Sequence, residues 1–358
     1  MVHPERHRVI GVMSGSSLDG LDLCCCDFIV REENWSYVFH FTKTVPFPED
    51  LANRLSKARD ISSKELFKLD ADLGDFIGQA VKTFMQENCI EEVELIASHG
   101  HTVFHSPESS FSTQIGSGAH TAAACGLPVV SDLRSGDLAK GGQGAPIVPI
   151  GELLLFQSFD AFLNLGGIAN ISIIQDGKGQ AWDIAGANQV LNHLAKKLGK
   201  PFDDEGKFAV EGEVDFSLIE QLDSWEYYQM DPPKSLDNQQ VQEHYFPLVD
   251  SVEDPKNALA TFSEHLSAQI VKALLRMEKM PENLLVTGGG AHNKDLIKRL
   301  ELKLPEVYVH VPNGALINFK EALIMAFIGL LRFKGQTNII SSITGAESDS
   351  ISGAVYLP

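Results

Sequence analysis

The sequence predicts an α/β protein made of two similar domains with a cleft between them. The chain has 358 residues, more than one hydrophobic core usually holds. Each half opens with an apolar segment, a glycine-containing turn and a second apolar segment, at residues 8–30 and 160–174. A glycine-rich stretch at residues 135–151 separates the halves. The repeated unit favours a duplicated architecture with the glycine turns lining the cleft.

The first half reads mainly as strands. Apolar and β-branched residues between polar turns predict strands at 8–13, 21–30, 35–45, 93–98, 100–105, 112–116 and 128–133. One apolar stripe at helical spacing, from Leu66 to Phe84, predicts a helix over residues 63–85. A short helix is predicted to end at Gly126, since glycine commonly follows the last turn of a helix.

The second half repeats the strand–turn–strand opening and continues with strands at 179–186 and 283–287. Helices are predicted at 187–199, 258–277 and 293–304, and the strongly apolar stretch 319–333 is expected to be buried between the domains. The apolar residues near the C-terminus have no other partner, so this segment is expected to return to the first domain. The domains are therefore predicted as residues 1–132 with 334–358, and residues 133–333.

Composition excludes several kinds of partner. The formal net charge of −19 argues against nucleic acid and against an anionic membrane bound through a basic face. Five cysteines, three of them consecutive at Cys24–Cys26, and the lack of a signal-peptide pattern predict reduced thiols in the cytoplasm. No apolar run approaches the roughly 20 residues of a membrane span, so no membrane segment is expected.

Three apolar strands run into glycine turns, at Gly15 in the stretch GVMSGSSLDG, at Gly166-Gly167 and at Gly288-Gly289-Gly290. Glycine lets a backbone approach a ligand closely and turn its N–H groups towards phosphate oxygens. Each turn alone is also compatible with a tight turn that binds nothing. Three together, two of them in matching places, favour a nucleotide held between the domains.

Asp183 is the candidate general base, because it ends a strand just before a turn and a helix. Phosphoryl transfer needs a carboxylate that takes a proton from the nucleophile, and a metal ion that gathers phosphate charge. The alternative is that Asp183 only caps the helix. Asp19 and Asp22 could orient a hydrated Mg²⁺ or merely solvate a hairpin.

The stretch SHGHTVFH contains His99, His101 and His105. The first two share a face of a strand, but no fourth ligand at a suitable spacing completes a zinc site. Polar contacts to a ligand, or hydrogen-bonded structural histidines, are the favoured interpretations.

These motifs closely resemble the anhydro-N-acetylmuramic acid kinase family of the actin/hexokinase/Hsp70-like phosphotransferase superfamily. The resemblance runs almost end to end, through GVMSGSSLDGLD, SHGHTVFH, QIG, VVSDLRSGDLAKGGQGAPIVP, NLGGIANIS, WDIAGAN, GGGAHN, EAL and SITGA. It implies duplicated actin-like ATPase domains of the ribonuclease H-like type, and a homodimer. It also implies an ATP- and Mg²⁺-dependent enzyme of cell-wall recycling. Such an enzyme cleaves 1,6-anhydro-N-acetylmuramic acid with water and phosphorylates O6, giving N-acetylmuramic acid 6-phosphate.

On the matching positions, the resemblance assigns Asp183 as the catalytic base. The candidate nucleotide contacts are Gly15, Ser16, Ser17, Leu18, Asp19, Gly20, Leu21, Asp22, Gly166, Gly167, Gly288, Gly289 and Gly290, with Asp19 as the candidate Mg²⁺ ligand. The candidate contacts to the amino sugar are His101, Arg134, Asn188 and Glu321.

The chain departs from the family pattern at three places. Ser16 stands where the family usually has Thr, DIAGAN replaces Asp-Thr-Gly-Pro-Gly-Asn, and KSLDNQ replaces a Lys-Ser-Thr-Gly stretch. Two alternatives therefore stay open beside the family activity. One is a kinase of a related amino sugar without ring hydrolysis, and the other is a sugar- or nucleotide-binding protein that has lost turnover.

Overall fold

A computed structural model describes residues 4–15, 18–175, 178–277 and 279–358. The strands are β1 (Glu5–Ser14), β2 (Gly20–Arg31), β3 (Asn34–Pro46), β4 (Leu95–Ser98), β5 (His101–Ser106), β6 (Phe111–Ile115), β7 (Val129–Ser131), β8 (Ala161–Leu165), β9 (Ile168–Gln175), β10 (Lys178–Gly186), β11 (Asn283–Thr287), β12 (Tyr308–His310) and β13 (Ala354–Tyr356). The helices are α1 (Glu49–Ser56), α2 (Ser63–Glu87), α3 (Gly118–Cys125), α4 (Ser135–Leu138), α5 (Pro149–Leu155), α6 (Asn188–Lys197), α7 (Lys207–Glu211), α8 (Phe216–Asp223), α9 (Asn238–Asp250), α10 (Pro255–Leu274), α11 (Lys294–Lys303), α12 (Gly314–Phe333) and α13 (Ser341–Thr344).

Both compact units of the chain contain a sheet in which five strands follow the same order. In the first unit this order is β3-β2-β1-β4-β7, with β13 as a sixth strand beside β7, and in the second it is β10-β9-β8-β11-β12. β1, β2 and β3 pair antiparallel while β4 and β7 continue in parallel from β1, and β8 to β12 repeat this pattern. The α/β prediction is confirmed, and the shared topology is that of a duplicated ribonuclease H-like domain.

The division of the chain differs from the predicted boundaries. The units are Met1–Gln157 with Phe319–Pro358, and Ser158–Asn318. Residues 133–157 and 319–333, expected in the second domain, belong to the first. Packing explains this, because α5 contacts β3, and a Cβ on Gly329 of α12 would lie 2.3 Å from the Ala97 Cβ of β4.

The core of the first unit lies between its sheet and α2. Ser62 and Glu65 form a reciprocal capping box that starts this helix. Leu69, Leu73 and Ile77 are fully buried on the stripe that faces the strands. The helix predicted at residues 63–85 is confirmed. In the second unit, α10 is buried around most of its surface, among strands and helices on both sides.

α12 corrects the expectation that no segment is long and apolar enough to cross a membrane. By length and composition this helix could cross a membrane, since it has 20 residues and a mean hydropathy of 1.7. However, 72% of its apolar stretch is buried inside the protein. A Cβ on Gly11 of β1 would lie 1.9 Å from the Ala322 carbonyl oxygen, so strand and helix backbones nearly touch. The apolar residues are accounted for by packing.

Candidate functional site

The hairpin of β1 and β2 brings the predicted phosphate loop to the end of the first sheet. Ser14 pairs with Leu21, so Gly15 and Asp19 lie beyond the last paired residues. Leu18 adopts a left-handed backbone (φ 57°), and Gly20 has no room for a side chain because a Cβ would lie 2.3 Å from the Val45 oxygen. Ser16 and Ser17 lie outside the described residues.

Two carboxylates accompany this hairpin. Burial raises the pKa of Asp22, the neighbouring Asp19 charge raises it further, and the Thr44 hydroxyl opposes both by donating to Asp22 Oδ1 at 2.6 Å. Asp19 is exposed. Mg²⁺ in phosphate-binding sites typically uses one or two carboxylates together with phosphates and water, so this pair fits such an ion. Among the described residues, no cluster of three or more His, Cys, Asp or Glu side chains suits a metal.

His99 and His101 are both buried and hydrogen-bonded. His101 Nδ1 lies 3.2 Å from the Ser14 hydroxyl, beside the hairpin, and burial lowers its pKa. His99 Nδ1 donates to the Gly100 carbonyl at 2.9 Å, which leaves Nε2 as an acceptor. Burial lowers the pKa of His99 to about 3. The interpretation as satisfied or ligand-contacting histidines, rather than zinc ligands, fits this geometry.

Arg134 is held between His99 and a glycine loop. Its Nε and Nη2 atoms both donate to His99 Nε2, at 3.0 and 2.8 Å, and Nη1 donates to the Gly144 carbonyl at 2.6 Å. Burial lowers its pKa to about 10, and Glu321 opposes this. The guanidinium therefore stays charged at neutral pH in a fixed orientation.

The stretch predicted as a crossing between domains is instead a folded loop of the first unit. The buried Asp137 carboxylate accepts the Gly144 N–H at 2.8 Å and the Thr344 hydroxyl at 2.7 Å. A Cβ on Gly142 would lie 2.3 Å from Asp137 Oδ2, so the chain wraps tightly around this carboxylate. Asp137 thereby fixes the carbonyl that orients Arg134, a role that its place in a glycine-rich stretch did not reveal.

Glu321 lies two residues after the kink of α12 at Phe319. Burial has the largest effect on the pKa of Glu321 and raises it. The Asp22 charge also raises this pKa, whereas the Lys320 and Arg134 charges lower it. The first unit thus gathers Asp22, Arg134 and Glu321 within electrostatic reach of one another. Lys320 itself forms a buried ion pair with Glu152 at 2.8 Å.

In the second unit, Asp183 lies at a β-bulge of β10, opposite Asn170. Its Oδ2 accepts the Leu236 N–H at 2.9 Å, while Oδ1 accepts no hydrogen bond from any residue that the structure describes. Burial raises its pKa to about 6, against the Leu236 hydrogen bond. The N-cap of α6 is Ala187, without a side-chain cap, so Asp183 does not cap that helix.

Lys234 and Tyr227 both contact the backbone of Asp183, although neither was predicted as a site residue. The Tyr227 hydroxyl donates to the Asp183 carbonyl at 2.5 Å, and the Asp183 N–H donates to the Lys234 carbonyl at 3.1 Å. Lys234 Nζ donates to the Tyr227 carbonyl at 2.8 Å and lies 4.4 Å from its ring centre. Burial lowers the pKa of Lys234 to about 8. The only indication in the sequence was the stretch KSLDNQ, which keeps the Lys and Ser of the family's Lys-Ser-Thr-Gly pattern.

The two glycine turns of the second unit meet at Asn188. The Asn188 N–H donates to the Gly166 carbonyl at 3.1 Å, and its Nδ2 donates to the Leu165 carbonyl at 2.9 Å. A Cβ on Gly290 would lie 2.7 Å from the Leu165 Cβ and 3.0 Å from Asn188 Oδ1. Gly288 needs a left-handed backbone, with φ 81°. This close approach requires glycine at both positions.

A cavity of about 1120 Å³ opens beside these turns. Its lining combines glycine backbone with both charge signs and aromatic rings, including Asn188, Gly289, Gly290, His292, Lys294, Lys298, Asp203, Phe202 and Tyr308. The volume lies just above the range of about 300–1000 Å³ that is common for ligand sites, so the cavity is large enough for a nucleotide-sized ligand.

Two units of one topology, with glycine turns at their strand ends and a large cavity in one of them, are typical of phosphotransferases with duplicated α/β domains. The sequence matches the family model for anhydro-N-acetylmuramic acid kinase over residues 7–358. The chain belongs to this family. As a member it is a phosphotransferase that uses a sugar and ATP.

Curated members of the family align along nearly their whole length. The anhydro-N-acetylmuramic acid kinase of Acinetobacter baylyi is 31% identical over 97% of this chain and 98% of its own. The enzyme of Xanthomonas oryzae pv. oryzae is 32% identical over 99% of this chain and 98% of its own. The enzyme of Synechococcus elongatus is 31% identical over 98% of this chain and 99% of its own. Among solved structures, (R)-2-hydroxyglutaryl-CoA dehydratase component A of Acidaminococcus fermentans covers 90% of this chain and 97% of its own, at 11% identity. Its TM-score of 0.49 is too low to add to the assignment.

Proposed function

We propose that the protein hydrolyses the 1,6-anhydro bond of anhydro-N-acetylmuramic acid and phosphorylates the freed O6, giving N-acetylmuramic acid 6-phosphate in cell-wall recycling. The names of the relatives support the substrate. The observation that carries the chemistry is the Asp183 carboxylate, which has one oxygen held by Leu236 N–H and a pKa raised to about 6. Such a group is largely ionised at neutral pH yet basic enough to accept a proton.

In this mechanism Asp183 takes a proton from water while the water oxygen forms a bond to C1 of the sugar. The C1–O6 bond breaks with its electron pair on O6. O6 then bonds to the γ-phosphorus, and the bond from that phosphorus to the bridging oxygen breaks to release ADP. The proton taken up remains on Asp183 until it is lost to solvent.

ATP binding is assigned to the three glycine turns. Gly289 and Gly290 line the cavity, and the Gly166 carbonyl accepts the N–H of Asn188, which lines it too. These contacts support a nucleotide beside the two turns. The hairpin residues Gly15 to Asp22 are proposed to bind phosphate. Asp19 and Asp22 would hold Mg²⁺, which neutralises phosphate charge when bound.

The residues proposed to contact the amino sugar are His101, Arg134, Asn188 and Glu321. The oriented guanidinium of Arg134 supports contacts to anionic or hydroxyl oxygens. We further propose a cytoplasmic homodimer, which the family resemblance implies.

The decisive experiment incubates the protein with ATP, Mg²⁺ and a panel of muropeptide-derived sugars in ¹⁸O-labelled water, reading ADP release and product mass. Ring hydrolysis predicts ¹⁸O at C1 and phosphate on O6. Phosphorylation of open-ring amino sugars but never of the anhydro form would instead identify a kinase without the hydrolytic step. Nucleotide binding without ADP release from any sugar would identify a binding protein.

A further inference from the structure

A chain of buried polar side chains ends on the same stretch of β10 that carries Asp183. The Gly186 N–H donates to the Tyr245 hydroxyl at 3.3 Å, and the Tyr245 and Tyr228 hydroxyls are hydrogen-bonded to each other. Tyr228 continues to His265 Nε2 at 2.9 Å, and His265 Nδ1 to Asp223 Oδ1 at 2.8 Å. Four elements, the ends of α8 and β10 and the helices α9 and α10, are thereby joined through the 3-10 turn Glu226–Gln229.

The two ends of the chain decide the direction of every hydrogen bond in it. The amide at Gly186 can only donate, and the Asp223 carboxylate accepts because hydrogen bonding to His265 and Lys272 holds its pKa well below the usual range. His265 therefore carries its proton on Nδ1, and burial lowers its pKa and keeps Nε2 an acceptor. Tyr228 then donates to His265, Tyr245 to Tyr228, and Gly186 to Tyr245. Each donor has one acceptor, so no buried group in the path is left unsatisfied.

A further hydrogen bond holds the backbone of Asp183 itself. Tyr227, next to Tyr228, donates to the Asp183 carbonyl. The Tyr245 ring also fills the space at Gly186, where a Cβ would lie 2.8 Å from its Cε2 atom. Between these two anchor points lies the bulge that shifts the pairing of β10 with β9. A bulge is a site where a side chain is re-aimed, and it keeps its geometry only if its neighbours hold it.

We propose that Tyr245 and Tyr228 are positioning residues for Asp183, acting through the Gly186 amide and the Tyr227 anchor on the bulge. This inference rests on the proposed function, in which Asp183 is the base that activates water. It goes beyond that function by assigning the position of the base to a chain of hydrogen bonds between protein groups of the second unit.

The test compares Tyr245→Phe, Tyr228→Phe and the double variant with Thr261→Val. Thr261 is a matched control, since its buried hydroxyl accepts the Asp215 N–H at 2.9 Å in the same unit and, among the described residues, makes no hydrogen bond to β10. The tyrosine variants are expected to lower kcat by about tenfold or more with KM for ATP nearly unchanged, because small misplacement of a base is costly. The double variant should lose little more than either single one, since both hydroxyls act along one path. Thr261→Val should lower the thermal midpoint and keep kcat.

Tyrosine variants that turn over as fast as Thr261→Val, at equal folded fraction, would overturn the inference. If Tyr245→Phe does not fold, Tyr228→Phe decides, since it keeps the bond between Gly186 and Tyr245. Asp183→Asn is measured in the same series. If Asp183→Asn loses turnover and the tyrosine variants keep it, only the positioning role is refuted. If Asp183→Asn keeps its turnover, the proposed base is refuted.

Discussion

Arg134 donates two hydrogen bonds to a single atom, His99 Nε2. This geometry is possible only for a neutral imidazole whose proton is on Nδ1, where the Gly100 carbonyl accepts it. A charged His99 would face the guanidinium with a like charge, and burial and Arg134 together lower its pKa to about 3. His99 therefore orients Arg134 across the whole physiological pH range.

Replacement of Arg134 by Lys should weaken sugar binding even though the charge is kept. An ammonium cannot donate to His99 and to the Gly144 carbonyl at the positions of the planar guanidinium. We expect KM for the sugar to rise by about 10–100-fold, the equivalent of one or two charge-assisted hydrogen bonds. Steady-state kinetics check this, with Arg54→Lys, at a partly exposed ion pair with Asp72, as the control. An unchanged KM would remove Arg134 from the sugar site.

Asp183→Asn should abolish most turnover while leaving sugar affinity nearly unchanged. The amide can still accept the Leu236 N–H, but it cannot take a proton from water. The expected loss in kcat is about 10²–10⁴-fold, the range for a positioned general base. Measurement of kcat and of sugar affinity at saturating ATP and Mg²⁺ tests this. A variant that keeps most of its turnover would exclude Asp183 from the mechanism.

The pH dependence of the parent follows from the raised pKa of Asp183. The base works only when it is ionised, so kcat/KM should be constant above pH 7 and fall as the pH drops through about 6. Well below that value the fall approaches tenfold per pH unit. A pH–rate profile measures this acidic limb, and a thermal unfolding curve at each pH checks that the protein stays folded. A limb near pH 4, the ordinary range of an aspartate, would show that burial does not tune this group.

Gly290→Ala should weaken nucleotide binding. The added Cβ would lie 2.7 Å from the Leu165 Cβ and 3.0 Å from Asn188 Oδ1, so the turn beside the cavity must shift. We expect the Kd for ATP to rise about tenfold or more, since the amides of the turn would be displaced. Gly314→Ala is the control, because its Cβ would meet nothing within 4 Å. Equal affinities for the two variants, measured by calorimetry, would contradict a nucleotide at this turn.

The sequence by itself determined the elements that local patterning records. The apolar stripe of α2 and the strand–turn–strand units of β1–β2 and β8–β9 follow from periodicity, which reports which face of an element is buried. The three glycine turns were also visible, because glycine and polar residues separate apolar strands. Asp183 was predicted at a strand end, but it lies at a bulge within β10, three residues before the strand ends.

Only the tertiary structure decided what those elements meet. His99, Arg134 and Gly144 form one hydrogen-bonded cluster because β4, α4 and a glycine loop converge. The periodicity of a segment does not specify which distant segment packs against it. The same holds for the path from Asp223 to Gly186, whose members are scattered over residues 186–265, and for α12, whose last 15 residues pack in the first unit rather than the predicted second. Burial creates these contacts and shifts the pKa of Asp183, and burial depends on the packing of distant segments.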